Sequence, residues 1–163
     1  MSKPCFNRGV SLIEVIVASG MLSVFLVGAS FHYKKALDVS EITTQHIQSS
    51  FLLEEGVEAV KSLRDESWSG KIANLKVGTD YYLYWSGTKW TPTTTPEMVE
   101  NMFTRTFTLA STTRDVNYDI DPSGGTVDDG SRKVTIHVSW KPKSSNTLYT
   151  ESVEAYIMNL FNN

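Results

Sequence analysis

The chain has 163 residues, of which 40% are hydrophobic and 11% aromatic, and its formal net charge is −3. This composition is that of one modest globular domain with enough apolar residues to bury a core. The charge is too far from basic to favour nucleic acid as a partner. Because Cys5 is the single cysteine, a disulfide within the chain is excluded and the fold must rely on packing.

A long apolar segment lies close to the N-terminus. Residues 10–31 are apolar or small throughout except for Glu14, and basic residues flank them on both sides. A helix over this segment would measure roughly 33 Å, which is enough to cross a hydrocarbon core of about 30 Å. The pattern therefore predicts a membrane-spanning helix. Its orientation stays open, because the basic residues on its two sides nearly balance.

Glu14 is the unusual residue of this segment. A carboxylate within a spanning helix costs a few kcal/mol, so it needs a partner or a task. The simpler alternative is that Glu14 lies near enough to the interface to reach the lipid headgroups. A second alternative is a secretory signal peptide cut near Ser30, although its apolar core would be only about 7 to 15 residues long.

A short polar leader ending in Asn7 and Arg8 comes before Glu14 and is followed by the residues Gly9, Val10, Ser11, Leu12, Ile13, Glu14. These residues resemble the processing motif of type IV prepilins and type II secretion pseudopilins. The resemblance implies that a prepilin peptidase cuts between Gly9 and Val10 and methylates the new amine of Val10. Loss of Lys3 and Arg8 with the leader would change the net charge from −3 to −5.

The resemblance also implies a role for Glu14 in assembly, by pairing with the terminal amine of a neighbouring subunit. Four residues of helix place Glu14 about 6 Å along the axis from the amine of Val10. Opposite charges in a low dielectric cost less together than apart. The chain departs from the family in two places: Val10 stands where phenylalanine is more common, and Phe31 stands where a proline is frequent.

The function implied is that of a structural subunit of a type IV pilus-like filament. A looser resemblance of residues 52–68 to minor-pilin-like sequences favours a minor pilin. The partners implied are other pilin subunits in a helical filament, the prepilin peptidase, an inner-membrane assembly platform and, before assembly, membrane lipid. The location implied is the cytoplasmic membrane, with an exported C-terminal head, and then the filament. The alternatives are a type II secretion pseudopilin or a single-pass membrane-anchored ligand-binding domain.

The sequence predicts an α+β chain with three parts. Residues 1–9 are a leader, residues 10–66 a helix (10–31 transmembrane, 32–66 amphipathic) and residues 67–163 a β-rich head. The helix has an apolar stripe that needs a sheet against it, at Leu53, Val57, Val60 and Leu63. Gly56 could bend it. The acidic group of Glu54, Glu55 and Glu58 is interpreted as a solvated face.

Four to six antiparallel strands are expected in the head. Strands are predicted at residues 81–85, 103–109, 116–120, 134–140 and 148–160, a turn at residues 86–89, and loops at residues 91–96 and 121–131. A cluster of aromatic residues, most of them in the first hairpin, could stack on a sugar or a surface. We expect instead that they alternate between the sheet's core and its solvent face; they are Trp68, Tyr81, Tyr82, Tyr84, Trp85 and Trp90.

One loop carries candidate metal ligands. Residues 119–130 hold four aspartates, which could bind calcium: Asp119, Asp121, Asp128 and Asp129. Their spacing does not match an EF-hand, and aspartate and glycine are the usual turn formers, so a hairpin turn is favoured over metal. The three histidines lie too far apart in sequence to suggest a zinc site. No catalytic constellation is apparent, so we expect neither an enzyme nor a required cofactor.

Overall fold

The computed structural model describes Gly9, residues 11–143 and residues 145–161. Its one long helix, α1, runs from Leu12 to Glu66. The predicted long helix is therefore confirmed from Leu12 onward, whereas most of the predicted leader and Val10 lie outside the described residues. The chain divides into two compact units, Met1–Ile42 and Thr43–Asn163. The second half of α1 thus belongs to the same unit as the head.

The head contains a six-stranded antiparallel sheet. Its strands are β1 (Tyr81–Trp85), β2 (Trp90–Thr93), β3 (Met98–Val99), β4 (Phe103–Arg114), β5 (Thr126–Trp140) and β6 (Tyr149–Met158). Their order is β2-β1-β4-β5-β6, and β3 pairs with β4 beside this path. The long β4, β5 and β6 form the centre and one side of the sheet, whose inward-facing residues make the core.

The C-terminal half of α1 packs on this sheet through the predicted stripe. Ala59, Val60 and Leu63 are buried against Phe107, Ile136 and other inward residues of β4 and β5, while Leu53 and Val57 are partly buried against the same cluster. The alternating burial of β4 and β5 follows their alternating apolar residues. The predicted helix-on-sheet arrangement is confirmed within this unit.

Gly56 lies at a close approach of α1 to the sheet. The helix continues through it without interruption. A Cβ atom built on Gly56 would lie 2.8 Å from Ile136 Cγ2, so only glycine fits without a shift of the neighbouring side chains. Gly56 thus has a packing role, because the missing side chain lets α1 and β5 approach each other.

Three of the predicted strand and loop assignments need correction. Residues 91–93, predicted as a loop, belong to β2; Pro92 is tolerated there because β2 is an edge strand. Residues 116–120, predicted as a strand, form a turn with only an isolated bridge at Ile120. Part of the predicted loop at 121–131 belongs to β5, which begins at Thr126. The sequence analysis also missed β3 and a short π-helical turn at Ser69–Ala73.

Candidate functional site

The first half of α1 presents an uncovered apolar surface. Among the described residues, α1 is the one helix long and apolar enough to cross a membrane, and none of its most apolar window is buried. Every residue from 11 to 40 is exposed except Gly28, which is partly covered. The largest exposed side chains of the unit include Leu12, Ile13, Val24, Phe25 and Phe31, each at least 70% exposed. Such a surface requires lipid or other protein around it.

The serine hydroxyls in this segment are satisfied within the helix. Ser19 Oγ donates to the carbonyl of Ile16 at 2.9 Å, and Ser23 Oγ donates to the carbonyl of Ser19 at 2.8 Å. Ser30 makes the corresponding bond to Leu26 at 2.8 Å. A hydroxyl that bonds to the preceding turn can enter a membrane at little cost. These serines therefore need no partner from outside the helix.

Glu14 differs from them. It lies in the first turn of α1, on an exposed position beside Val15, Ala18 and Leu22. Its carboxylate has no hydrogen bond or ion pair within the part of the chain that the structure describes. The helix N-terminus favours a negative charge by a few tenths of a kcal/mol to about 1 kcal/mol, which does not cover the cost of a carboxylate in the membrane. If this segment enters a membrane, the Glu14 carboxylate needs a partner beyond those that the described residues supply.

The processing residues are only partly visible. Gly9 is described and exposed, whereas Val10, the predicted cleavage and methylation residue, lies outside the described residues. An exposed glycine next to the start of a helix is accessible to a peptidase. Cleavage and methylation themselves stay predictions.

The predicted aspartate loop covers the end of the β4–β5 connection and the start of β5, and most of its carboxylates have local partners. Asp128 pairs with Arg114 (Oδ2 to Nε, 2.5 Å) and accepts hydrogen bonds from Ser131 Oγ and the Gly130 N–H. The Arg114 hydrogen bond is the main reason that the pKa of Asp128 is lowered. Asp121 accepts from the hydroxyl and N–H of Ser123, which lower its pKa.

The other two candidate ligands do not join them. Asp129 is 94% exposed and faces Arg132 at 3.8 Å, and Asp119 is exposed, with its backbone in a turn with Asp115. Among the described residues, no group of three or more His, Cys, Asp or Glu side chains is arranged to hold a metal ion. The carboxylates brought together here serve the turn and an arginine.

A buried charge that the sequence analysis did not single out lies under the first hairpin. Arg105 of β4 is only 4% exposed and donates from Nη1 to Glu55 Oε2 at 2.6 Å. Its guanidinium lies 5.1 Å from the ring centroid of Trp90. Glu55, interpreted from the sequence as part of a solvated face, therefore has a structural partner. The inward position of Arg105 in the β4 alternation was the signal available in the sequence.

The aromatic residues of the first hairpin divide between core and surface as expected, with one exception. Trp68 and Tyr81 are buried, and Tyr84 is exposed. Trp85 shares the inward parity of Tyr81 and Leu83 yet is 49% exposed, because it lies at the end of β1. It lines an open cavity of about 460 Å³ together with Trp90 and Arg105.

A second polar cluster joins α1 to β6 within the head. Glu151 accepts hydrogen bonds from Ser49 Oγ and, at 2.7 Å, from His46 Nδ1. The His46 ring meets the Trp140 and Tyr149 rings edge-on at 5.0 and 5.5 Å. Burial, the largest single influence on Glu151, acts to raise its pKa, but the bonds from Ser49 and His46 together outweigh it and lower the pKa.

Comparisons with models of known protein families, with curated proteins and with solved structures found no match to this chain.

Proposed function

We propose that this protein is a structural subunit of a type IV pilus-like filament, most closely a minor pilin, which is anchored in the cytoplasmic membrane and assembled through α1. The observation that carries the proposal is Glu14: its carboxylate has no partner among the described residues, in an apolar helix whose serine hydroxyls are satisfied and whose surface is uncovered. A simple membrane anchor has no use for that charge. A subunit that must align in a fixed axial register with identical or related helices has a use for such a charge.

The motif before Glu14 supplies the complementary charge. Cleavage after Gly9 would free the amine of Val10 near the carboxylate of a neighbouring subunit. Pairing the two charges in a low dielectric stabilises one axial register over its neighbours. In this mechanism the prepilin peptidase creates the cation, an assembly platform brings the subunits together, and lipid covers the helix until other pilin subunits replace it.

The head suits this role because it needs no disulfide and has a hydrophobic core of its own. With Cys5 in the leader, the mature chain would hold its head by packing alone, through the helix stripe and the sheet. We propose no enzymatic activity and no required cofactor. A type II secretion pseudopilin would use the same anchor and processing and is the nearest alternative.

The first test is the intact mass and N-terminal sequence of the chain expressed with and without a prepilin peptidase. We expect a chain that begins at N-methylated Val10 only when the peptidase is present. A known prepilin expressed in the same cells controls for peptidase activity.

Two results would contradict the proposal. An uncut chain beside a correctly cut control prepilin would indicate a single-pass anchored domain, and the head would then be the functional part. A cut near Ser30 would indicate a secreted domain and would remove the assembly role of Glu14. If the chain is cut after Gly9, the protein composition of purified pili and pseudopili distinguishes a minor pilin from a pseudopilin.

A further inference from the structure

The head contains an open cavity that the filament role does not use. It measures about 460 Å³, within the range of small-ligand sites of about 300 to 1,000 Å³. The β1–β2 hairpin, β3, β4 and the side of α1 surround it. Six of its lining residues matter for recognition: Trp85, Trp90, Leu83, Glu97, Arg105 and Glu55. All of them belong to the Thr43–Asn163 unit.

Two tryptophans form the aromatic wall of this cavity. Trp85 and Trp90 are paired across the hairpin, and their ring centroids lie 5.0 Å apart with an interplanar angle of 52°. Trp90 is already covered in part by the Arg105 guanidinium. Trp85 keeps half of its surface open. The wall therefore offers a flat apolar face to a ligand that enters the cavity.

The polar groups of the cavity are incompletely matched. Arg105 is almost fully buried and uses Nη1 for Glu55, but its Nε is a buried donor with no hydrogen-bond partner among the described residues. Glu97 is partly buried, and its carboxylate has neither a hydrogen bond nor an ion pair within the described chain. Because Arg105 Nε is fully buried, it lies behind the lining, and the Glu97 carboxylate is the unmet polar group that the lining presents beside the indole face. An unmet acceptor in a partly desolvated position favours a ligand that donates hydrogen bonds to it.

These features select a class of ligand. A wholly apolar ligand would desolvate Glu97 without pairing it. An anion would be repelled by the carboxylates of Glu55 and Glu97. A cation would be repelled by the Arg105 guanidinium, which already stacks on the Trp90 ring. A neutral polyol with an apolar face avoids all three penalties, since its hydroxyls both donate and accept.

We propose that this cavity binds a neutral carbohydrate, with the Trp85 ring stacking against the C–H face of one sugar unit and Glu97 accepting hydrogen bonds from its hydroxyls. Glu55 is a positioning residue, because it holds the guanidinium and does not need to touch the ligand. The proposal does not depend on processing at Gly9 or on filament assembly, since the cavity is built entirely within the head.

The test is a titration of the full chain with four neutral disaccharides at millimolar concentration: maltose, cellobiose, lactose and N,N′-diacetylchitobiose. The protein should be kept in a polyoxyethylene detergent, because the headgroups of maltoside detergents are themselves sugars. Binding is followed by tryptophan fluorescence and by calorimetry. We expect saturable binding of at least one disaccharide.

Variants identify the site. Trp85→Ala and Glu97→Gln should each weaken that binding about tenfold or more, since loss of a stacking face or of a charged hydrogen-bond acceptor is worth about 1.4 kcal/mol or more. The matched control is Tyr84→Ala, which removes an exposed aromatic side chain from the opposite face of β1 and should leave the affinity unchanged. Near-ultraviolet circular dichroism of each variant verifies that the head remains folded.

The proposal is overturned if none of the four sugars binds, or if binding is equally strong in folded Trp85→Ala and Glu97→Gln variants. Tetramethylammonium serves as the competing probe. Its binding with the same dependence on Trp85 and Glu97, in place of the sugars, would assign the cavity to organic cations and would also overturn the carbohydrate proposal.

Discussion

Gly56 of α1 and Ile136 of β5 are in contact so close that a methyl group cannot be placed between them. An added Cβ would lie 2.8 Å from Ile136 Cγ2 and 3.3 Å from Arg105 Cδ. Ile136 is fully buried, and its branched side chain has little rotamer freedom. The register of helix on sheet is therefore sensitive to a single carbon atom at this position.

Gly56→Ala should destabilise the head. Alanine gains about 1 kcal/mol over glycine in a helix interior, but overpacking a core costs about 1 to 3 kcal/mol. We expect a net loss of up to about 2 kcal/mol, measured by urea unfolding of the full chain in detergent. Gly124→Ala is the matched control, because its added Cβ would meet nothing within 4 Å. A Gly56→Ala variant more stable than wild type would contradict the close packing.

The Arg105–Glu55 pair should show strong coupling. Glu55→Ala leaves a guanidinium that is 4% exposed without its carboxylate, so we expect a loss of about 1 to 3 kcal/mol. The same change in an Arg105→Met background should cost much less, and a double-mutant cycle of unfolding free energies measures the difference. Glu54→Ala, at an exposed neighbouring position, should change stability by less than about 0.5 kcal/mol. Additive effects of the two substitutions would show that the ion pair contributes nothing.

Glu151 should make the head sensitive to acid. Its folded pKa is lowered below the ordinary 4.5, so the stability it contributes is complete above about pH 4.5 and is lost as the pH falls through the folded pKa. Glu151→Gln should therefore lower the melting temperature at neutral pH and reduce its decline below pH 4.5. Glu154→Gln, on the same strand but in an exposed pair with Lys133, is the control. An unchanged acid slope in Glu151→Gln would contradict the assignment.

Asp128 should matter for stability and Asp129 should not. Asp128→Asn weakens the ion pair with Arg114 and the bonds from Ser131 and Gly130, for an expected loss of about 1 to 3 kcal/mol. Asp129→Asn changes a side chain that is 94% exposed and should be nearly neutral. Thermal unfolding measures both. Equal effects of the two substitutions would indicate that the Arg114 pair is not what holds the turn.

The same loop permits a direct calcium test. Since the Asp128 and Asp121 carboxylates already accept local hydrogen bonds, we expect calorimetry with calcium chloride to give no binding heat and no shift in melting temperature. Magnesium chloride controls for ionic strength. A saturable heat with a raised melting temperature that is lost in Asp128→Asn would establish a calcium site instead.

If the proposed filament role holds, Glu14→Leu should leave the proposed cleavage after Gly9 intact and reduce incorporation into filaments about tenfold or more, because the terminal amine would lose its proposed partner. Ser23→Ala is the control in the same helix, since among the described residues that hydroxyl donates to the Ser19 carbonyl. Immunoblots of sheared filaments and of membranes measure both steps. Normal incorporation of Glu14→Leu would remove the proposed role of this carboxylate.

Periodicity in the sequence was sufficient for the main elements. The alternation in residues 103–109 and 134–140 predicted β4 and β5, and the stripe from Leu53 to Leu63 predicted the helix face that packs on them. These patterns succeed because burial on one face imposes a fixed period on a long element. Alternation over only five residues led to a wrong strand prediction at residues 116–120. Val116 and Tyr118 are 94% and 80% exposed, and the Asp115 carboxylate accepts the hydrogen bonds of a turn.

The sequence by itself determined the apolar helix, its lone acid and the α+β class, because each depends on residue type and local spacing. Only the tertiary structure decided that Gly56 serves a close contact, that Glu55 holds a buried arginine, and that Trp85, Trp90 and Glu97 line one cavity. Those relationships join residues that are far apart in the chain. Their distances are set by how helix and sheet pack, and a one-dimensional pattern carries no information about that packing.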